Sequence, residues 1–344
     1  MAHFERASDV RTGVVGYGAA FDMGRRHLTD TRKAGMTPCA VAETDPERLA
    51  AAGQDFPGVE LYPTVDEMLQ ASDVNLVVLI TPHNTHAKLA LQCLRAGRHV
   101  ISEKPFAITT EECDAMIREA GERDLLVTAY HNRHWDGCVL EALKHLHEEK
   151  AIGEIYRVDA RIGEYGHPGD WWRSSRSISG GIMYDWGVHL LEYGLQIITS
   201  GIVEVSGFAK TGFWAGETPW NDDTNEDVAC AVVRFENGAW LSLTVSTLET
   251  NPRPGQLEIS GTGGSYVFDG RKYEMIRRQG KRRVVTKGAN MSSRWEAFYG
   301  NIARHLTEGE TLVITPEWAR RPIHILDLAV KSAKRGRAIK ARYK

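Results

Sequence analysis

The stretch that decides the fold is residues 10–24, Val-Arg-Thr-Gly-Val-Val-Gly-Tyr-Gly-Ala-Ala-Phe-Asp-Met-Gly. Its first part is apolar enough for a buried strand, and Gly16 and Gly18 follow where such a strand would turn into a helix. Glycines at that turn let the backbone approach a phosphate group at the N-terminus of the following helix. The stretch therefore predicts the first strand-turn-helix unit of a doubly wound parallel sheet.

The residues that follow repeat this unit. From Val10 to about Val127, short apolar runs alternate with longer amphipathic stretches, which is typical of βαβ units. Buried strands are predicted at 13–15, 38–42, 76–80, 99–101 and 125–127, and helices at 63–69 and 85–96. Gly97 stands where the second of these helices would end. We expect residues 1–129 to form a Rossmann domain.

The second half of the chain has a different period. After a helix predicted at 137–150, strands are predicted at 155–162, 227–235, 239–245, 256–259 and 265–268. Asn237-Gly238 between two of them is a strong hairpin signal. A last helix should begin at Pro316, and Pro322 should kink or restart it. We expect residues 130–344 to form an α+β domain with a large, mainly antiparallel open sheet.

Bulk properties exclude several classes of protein. A chain of 344 residues usually holds two domains, and no apolar run approaches the roughly 20 residues that cross a bilayer. The net charge of −3 argues against a nucleic-acid partner, and we interpret the basic segments 271–287 and 331–344 as a solvated hairpin and a helix end. Five widely spaced cysteines and the lack of an apolar signal core in Met1–Arg11 predict a cytoplasmic protein without disulfides or membrane contact.

The glycine turn and the end of the second strand predict a dinucleotide site. Main-chain groups of Gly16, Tyr17, Gly18 and Ala19 would contact the phosphates. Phe21 replaces the usual third glycine and the next one is Gly24, which suggests a short insertion.

Glu43 ends the second strand, where a carboxylate can accept hydrogen bonds from ribose hydroxyls and would repel a 2′-phosphate. No lysine or arginine stands at Thr44 or Asp45, so NAD is expected rather than NADP. In the alternative interpretation, Glu43 only decorates the start of the next helix.

Two polar segments follow the third and fourth strands. They are Thr81-Pro82-His83-Asn84-Thr85-His86 and Glu103-Lys104-Pro105, and both fall at the strand ends where open parallel sheets bind ligands. Together with Ala96-Gly97-Arg98-His99-Val100, this combination resembles the glucose-fructose oxidoreductase/inositol dehydrogenase/rhizopine catabolism (Gfo/Idh/MocA) family. The resemblance continues in Trp172-Arg173, Ser179-Gly180-Gly181 and Asp185-Trp186-Gly187-Val188-His189, with Ser179 in place of a glycine. Asp185 and His189 are four residues apart, so on a helix they would share one face.

The resemblance implies an NAD(P)-dependent dehydrogenase that moves a hydride to or from a hydroxyl-bearing carbon of a sugar or cyclitol. Lys104 would contact the reacting oxygen and the nicotinamide ribose, His189 would be the acid/base, and Asp185 would orient the substrate or His189. It also implies a homodimer or homotetramer. Further cofactor contacts are expected from Thr81, Pro82, Asn84, His86 and Glu103, and substrate contacts from His131, Arg133, Trp172 and Arg173.

Several alternatives remain open at this point. We expect no metal, although His83, His86 and Glu103 could form a site for one. Residues 130–135 could supply substrate contacts or could be an aromatic and basic hinge between domains. An NAD-dependent glycosidase that oxidises its substrate only transiently would use the same residues, and a non-catalytic regulator could share the fold.

Overall fold

A computed structural model describes residues 3–18, 21–253 and 255–343, and the chain divides into two compact units. Unit 1 comprises Met1–His131 and Glu296–Arg320, and unit 2 comprises Asn132–Trp295 and Arg321–Lys344. The boundary predicted after residue 129 lies two residues from the observed one. The prediction of one continuous domain from 130 to 344 differs from the structure, because residues 296–320 group with unit 1. None of the helices in the described ranges is long and apolar enough to cross a membrane.

Unit 1 contains a six-stranded parallel sheet in the order β3-β2-β1-β4-β5-β6. The strands are β1 Arg11–Val15, β2 Thr37–Ala42, β3 Glu60–Tyr62, β4 Leu76–Leu79, β5 His99–Ser102 and β6 Val127–Ala129. All five predicted strands are present, the last of them displaced by two residues. The edge strand β3 was not predicted, because it is short and carries two exposed side chains instead of a buried apolar run.

The helices of unit 1 follow the strands in the βαβ manner. They are α1 Met23–Lys33, α2 Pro46–Asp55, α3 Val65–Ala71, α4 His86–Arg95 and α5 Thr110–Glu122. Gly97 has φ +76 just beyond α4, in the left-handed conformation expected at a helix end. The C-terminal part of the chain adds one more helix, whose buried Phe298, Tyr299 and Ile302 belong to this unit's core.

Unit 2 is built on a nine-stranded sheet in the order β14-β13-β12-β11-β7-β10-β9-β8-β15. Strands β7 and β10 pair in parallel and the other pairs run antiparallel, which confirms the mainly antiparallel prediction. The predicted hairpin joins β9 to β10, with Gly238 at φ +84. The strands are β7 Ile155–Gly163, β8 Ile202–Lys210, β9 Val228–Phe235, β10 Trp240–Ser246, β11 Leu257–Gly261, β12 Gly264–Phe268, β13 Lys272–Gln279, β14 Arg282–Ala289 and β15 Ile339–Lys340.

Unit 2 contributes the helices α6 Gly137–Leu143, α7 Arg176–Ser179 and α8 Gly187–Ile197. A π-helical turn, Lys144–Glu148, continues α6 to nearly the predicted end. Helix α9, Ala297–Glu308, is the helix that belongs to unit 1, and α10, Pro316–Arg335, has its first five residues in unit 1 and the rest in unit 2. Pro322 lies inside α10 without ending it, because the buried Ile323, Ile325 and Leu326 hold the next turn against the core.

Candidate active site

The glycine turn after β1 has the geometry of a ligand cradle. Gly16 and Gly18 have φ +83 and +68, which side chains rarely adopt. A Cβ on Gly16 would lie 2.3 Å from the carbonyl oxygen of Ile80, so glycine is required for β1 and β4 to run side by side there. A Cβ on Gly18 would meet only the Ile80 side chain, at 3.9 Å, so the space beside Gly18 is open. Ala19, also predicted here, lies outside the described residues.

Gly24 takes over the packing role of the displaced third glycine. It is the second residue of α1, and a Cβ on it would lie 2.5 Å from the Tyr17 carbonyl oxygen. The Gly24 N–H donates a hydrogen bond to that oxygen at 3.1 Å. The start of α1 therefore lies directly against the turn, as a phosphate site at a helix N-terminus requires.

Glu43 is buried just after β2 and is bound to the glycine turn. Its Oε2 accepts the main-chain N–H of Tyr17 at 2.7 Å, and its Oε1 accepts that of Asp45 at 2.9 Å. Asp45 is the residue whose side chain caps α2. Glu43 instead connects the start of α2 to the glycine turn. The Tyr17 ring is buried and its hydroxyl donates to Asp55 at 2.7 Å, while its main-chain N–H and carbonyl are already hydrogen-bonded to Glu43 and Gly24. Glycine backbone, helix N-terminus and acidic residue together fit a dinucleotide.

The segment after β4 is organised by its own hydrogen bonds. The hydroxyls of Thr81 and Thr85 lie 2.6 Å apart, and Asn84 is exposed. His86 is fully buried, with Nδ1 2.8 Å from the Pro105 carbonyl oxygen and Nε2 2.9 Å from that of Thr81. Burial lowers the pKa of His86. Both ring nitrogens thus face main-chain oxygens, and His86 ties the end of β4 to the loop after β5.

Glu103 and Lys104 directly follow β5, and the Lys104–Pro105 peptide is cis. Glu103 Oε2 accepts the main-chain N–H of Lys104 at 2.9 Å, and Oε1 lies 3.0 Å from His27 Nε2. Burial alone would raise the pKa of the Glu103 carboxyl, but the hydrogen bond and charge of His27, the charge of Lys104 and that N–H lower it below its ordinary value. Within the described ranges, no three His, Cys, Asp or Glu side chains are grouped as a metal site.

In unit 2, the structure brings together two of the predicted residues that lie twelve positions apart. The Arg173 guanidinium donates a short charge-assisted hydrogen bond to Asp185. The same guanidinium lies over the rings of Trp171 and Trp172, 5.1 and 5.0 Å from their centroids. Stacking and ion pairing together fix the orientation of Arg173.

Asp185 and His189 lie at the start of α8. The helix begins at Gly187, so Asp185 precedes it, whereas His189 is its third residue; the prediction of both on one helix holds only for His189. Asp185 and Trp186 nevertheless have right-handed helical backbone angles. His189 is buried, and its ring meets that of Trp186 edge-on with centroids 5.6 Å apart. Lys104 belongs to unit 1, and Asp185 and His189 belong to unit 2.

A cavity of about 350 Å³ opens within unit 2, and Trp171, Arg173, Asp185, Trp186 and Glu226 are among its lining residues. The predicted Trp172 and His189 are not among them. Sequence analysis also missed Glu226, because nothing in the local pattern before β9 distinguishes it from other surface carboxylates.

Glu226 approaches the chain at Gly181, where φ is +126 and a Cβ would lie 2.9 Å from its Oε2. The Ile182 N–H donates to the same oxygen at 3.1 Å. Glycine at 181 therefore makes room for this carboxylate at the cavity wall.

The predicted substrate residues of segment 130–135 are held by protein contacts. His131 is fully buried. Arg133 pairs with Asp136 at 3.1 Å and lies over the Trp186 ring, 4.7 Å from its centroid. His134 Nδ1 lies 2.5 Å from Glu192 of α8. These contacts favour the interpretation of a structural aromatic and basic segment, in which Arg133 supports Trp186 at the cavity.

Comparisons with known proteins cover both halves of the chain. The family model described as "Oxidoreductase family, NAD-binding Rossmann fold" matches residues 10–131, and the one described as "GFO/IDH/MocA C-terminal domain" matches residues 140–267.

Individual relatives match two thirds of the chain or more. The NADP(+)-dependent scyllo-inositol 2-dehydrogenase of Bacillus subtilis is 24% identical, over 97% of this chain and 96% of its own. The levoglucosan dehydrogenase of Pseudarthrobacter phenanthrenivorans is 28% identical, over 67% of this chain and 64% of its own. Among solved structures, an NAD-binding protein from Listeria innocua superposes with a TM-score of 0.80 at 26% identity, covering 96% of both chains.

Proposed function

This chain belongs to the Gfo/Idh/MocA oxidoreductase family, and on that premise we propose that it transfers a hydride between a nicotinamide dinucleotide and a hydroxyl-bearing carbon of a sugar or cyclitol. Two of its relatives carry the names of a cyclitol dehydrogenase and an anhydrosugar dehydrogenase, which supports this substrate class. The observation that carries the proposal is the cavity of unit 2, where indole rings and charged groups line the same space.

Such a lining suits a polyhydroxylated ring. The apolar C–H face of a sugar packs on flat aromatic side chains such as Trp171 and Trp186. Its hydroxyls can donate to Asp185 and Glu226 and can accept from Arg173, all of them at the cavity wall. Four acidic residues line the cavity, Glu164, Asp185, Glu226 and Asp227, against the one guanidinium of Arg173. Because this leaves the wall negative, we propose that the substrate is not itself an acid.

The catalytic roles follow from the chemistry of each side chain. The nicotinamide, when bound, accepts or returns the hydride. We propose that His189 removes the hydroxyl proton during oxidation and that the Lys104 ammonium stabilises the negative charge that develops on the substrate oxygen. The Asp185–Arg173 ion pair would orient the substrate, with Asp185 held in place by the stacked guanidinium.

We further propose that NAD is preferred over NADP. Glu43 is buried beside the glycine turn, and its carboxylate accepts the Tyr17 N–H of that turn, so a phosphate on the adjacent ribose would meet a negative charge. The B. subtilis relative is named as an NADP(+)-dependent enzyme, so similarity to it does not determine the cofactor. We therefore infer the preference of this chain from its own residues.

The test is a panel of sugars, cyclitols, sugar acids and glycosides, each incubated with the purified protein and NAD. Absorbance of the reduced nicotinamide and chromatography of the products are measured together. Net reduced cofactor with a neutral sugar or cyclitol is the expected result. Release of an aglycone without net reduction would favour the NAD-dependent glycosidase, and cofactor binding without turnover across the panel would favour the regulator.

We also propose a cytoplasmic homodimer or homotetramer. Burial raises the pKa of the Cys39 thiol to about 11 and those of Cys93 and Cys138 to about 12, as suits unreactive thiols in a reducing compartment. Exposed aromatic rings on the sheet of unit 2, Tyr156 on β7 and Trp240 on β10, lie 5.9 Å apart and are candidates for contact with a second copy.

A further inference from the structure

A row of hydrogen-bonded side chains ends at the main chain of Lys104. Tyr299 Oη lies 2.5 Å from His27 Nδ1, and His27 Nε2 lies 3.0 Å from Glu103 Oε1. The other carboxylate oxygen of Glu103 accepts the Lys104 N–H at 2.9 Å. All four residues belong to unit 1, and the His27 and Tyr299 side chains are fully enclosed. The mechanism proposed above uses neither of these two.

The ionisation of Glu103 sets the direction of the hydrogen bonds at the inner end of the row. Glu103 carries a lowered pKa and is ionised, so both of its oxygens can only accept. His27 then donates from Nε2 to Glu103, and its Nδ1 shares the second hydrogen bond with the Tyr299 hydroxyl. Each donor has an acceptor, so this buried network is complete and rigid.

The row also connects three elements. His27 lies on α1, the helix that follows the glycine turn; Glu103 lies at the end of β5; and Tyr299 lies on α9. The Tyr130 ring packs edge-on against the His27 ring, with centroids 4.4 Å apart, and so supports the orientation of the imidazole. A displacement of α1 is therefore transmitted to the peptide that carries Lys104.

We propose that His27, fixed by Tyr299, is a positioning residue for Lys104. Through Glu103, His27 fixes the position of the Lys104 main chain relative to α1, the helix beside the glycine turn. The lysine ammonium can then contact the reacting oxygen while the dinucleotide phosphates are bound at the glycine turn. This inference rests on the proposed function, because it takes Lys104 as the catalytic lysine. Misplacement of a reacting group by about 1 Å can cost about a hundredfold in rate, which makes such anchoring worthwhile.

Two variants of His27 separate positioning from packing. His27→Phe keeps a flat buried ring and removes both hydrogen bonds, and His27→Gln keeps an N–H where Nε2 now lies. We expect His27→Phe to lower kcat about tenfold to a hundredfold with less than about threefold change in KM and in the Kd for NAD, and His27→Gln to recover most of that loss.

The matched control is His99→Phe, a buried histidine at the opposite end of β5 that accepts the Leu126 N–H. It should lose stability and keep its kcat. An equal loss of kcat in His99→Phe would overturn the proposal, because general loosening of the sheet would then explain both variants.

Dependence on Lys104 is tested by combining variants. In a Lys104→Met background, His27→Phe should lower turnover no further, since the residue through which it acts is absent. A full additional loss in the double variant would refute the positioning role.

A readout without turnover separates this inference from the proposed function. The lysines are reductively methylated with ¹³C-formaldehyde, and the Lys104 NMR signal is assigned by its absence in Lys104→Arg. It should shift in His27→Phe and stay in place in His99→Phe. Tyr299→Phe removes only the hydrogen bond between Tyr299 and His27 and should shift the Lys104 signal less. It replaces His27→Phe in the test if that variant does not fold. If the Lys104 signal shifts in His27→Phe but the unaltered protein oxidises nothing in the panel, the positioning role is supported and the proposed function is contradicted. If the signal does not shift, the positioning role alone is overturned.

Discussion

Lys104 is the side chain on which the proposed chemistry depends most. We predict that Lys104→Met lowers kcat at least about a hundredfold and leaves NAD affinity nearly unchanged, because methionine keeps the length but cannot stabilise charge on the substrate oxygen. Steady-state kinetics and a fluorescence titration with NAD measure the two effects. Near-normal turnover on the true substrate would contradict the catalytic assignment.

Glu43 determines the predicted cofactor preference. NAD should bind more tightly than NADP, and Glu43→Gln should narrow the gap, because it removes the negative charge while an amide oxygen can still accept the Tyr17 N–H. Calorimetric titration of both cofactors gives the ratio. Glu47→Gln, which alters an exposed carboxylate in the first turn of α2, is the control and should leave the ratio as it is. Equal affinities in the unaltered protein would show that Glu43 does not face the ribose.

At the residue scale, the sequence predicts the side chains that occur in recognisable motifs and misses their partners. Lys104, Arg173 and Asp185 were assigned from motifs, and the Arg173–Asp185 pair is present in the structure. His27 and Tyr299 are separated by 272 positions, and His27 and Glu103 by 76. No local pattern reveals that such distant residues meet, because the contact depends on how the helices pack on the sheet.

Strand β5 begins with a histidine whose environment opposes protonation. Burial and the nearby His3 lower the pKa of His99 to about 4, and its Nδ1 accepts the Leu126 N–H at 3.0 Å. Between pH 6.5 and about 4 the unfolded chain binds a proton at this site that the folded chain does not, so stability falls as pH falls through that window. We predict a loss of up to about 3 kcal/mol from this residue, at about 1.4 kcal/mol per pKa unit.

Urea unfolding at several pH values measures that dependence. His99→Asn keeps an acceptor for the Leu126 N–H but does not titrate, so its stability should change less between pH 6.5 and 4. The prediction fails if both proteins lose stability in parallel.

Helix α1 packs in direct contact with the glycine turn because Gly24 has no side chain. Gly24→Ala would place a methyl group 2.5 Å from the Tyr17 oxygen, so we predict destabilisation of about 1–3 kcal/mol together with weaker NAD binding. Gly121→Ala in α5 is the matched control, since nothing lies within 4 Å of its Cβ position, and it should stabilise the protein by about 0.5–1 kcal/mol. Thermal unfolding with and without NAD distinguishes them; unchanged NAD binding in Gly24→Ala would contradict the role given to this contact.

At the element scale, the sequence predicts strands that are buried and apolar, such as β4 and β5, with small errors in their ends. It misses β3, whose residues are largely exposed. Of the two outcomes predicted for Pro322, a restart of the helix does not occur, because tertiary packing of α10 outweighs the one main-chain hydrogen bond that proline removes.

For the whole molecule, we predict association through the sheet of unit 2. Trp240 is 38% exposed on β10 beside Tyr156, and Trp240→Glu would place a charge at the centre of that aromatic pair. Light scattering at micromolar concentration should show an oligomer that the variant converts to smaller species. Leu61→Glu, at an exposed apolar residue of unit 1, is the control and should remain an oligomer. A monomeric unaltered protein would contradict the prediction.

The two-unit organisation is visible in the sequence as a change of period near residue 130, from βαβ units to a meandering sheet. The return of residues 296–320 to unit 1 is not visible there. An amphipathic helix such as α9 shows which face it buries but not which of two cores receives that face.

The discontinuity of unit 1 has a consequence for the order of events on the ribosome. Its parallel sheet is complete in sequence at β6, yet Thr128 still lacks its acceptor, the Ile314 carbonyl, and His27 still lacks Tyr299. At about 5–20 residues per second, synthesis of the roughly 170–185 residues from the end of β6 to Tyr299 and Ile314 takes about 9–37 s. During that time the core of the nascent unit 1 stays partly exposed. We therefore expect chaperones to bind the nascent chain during translation.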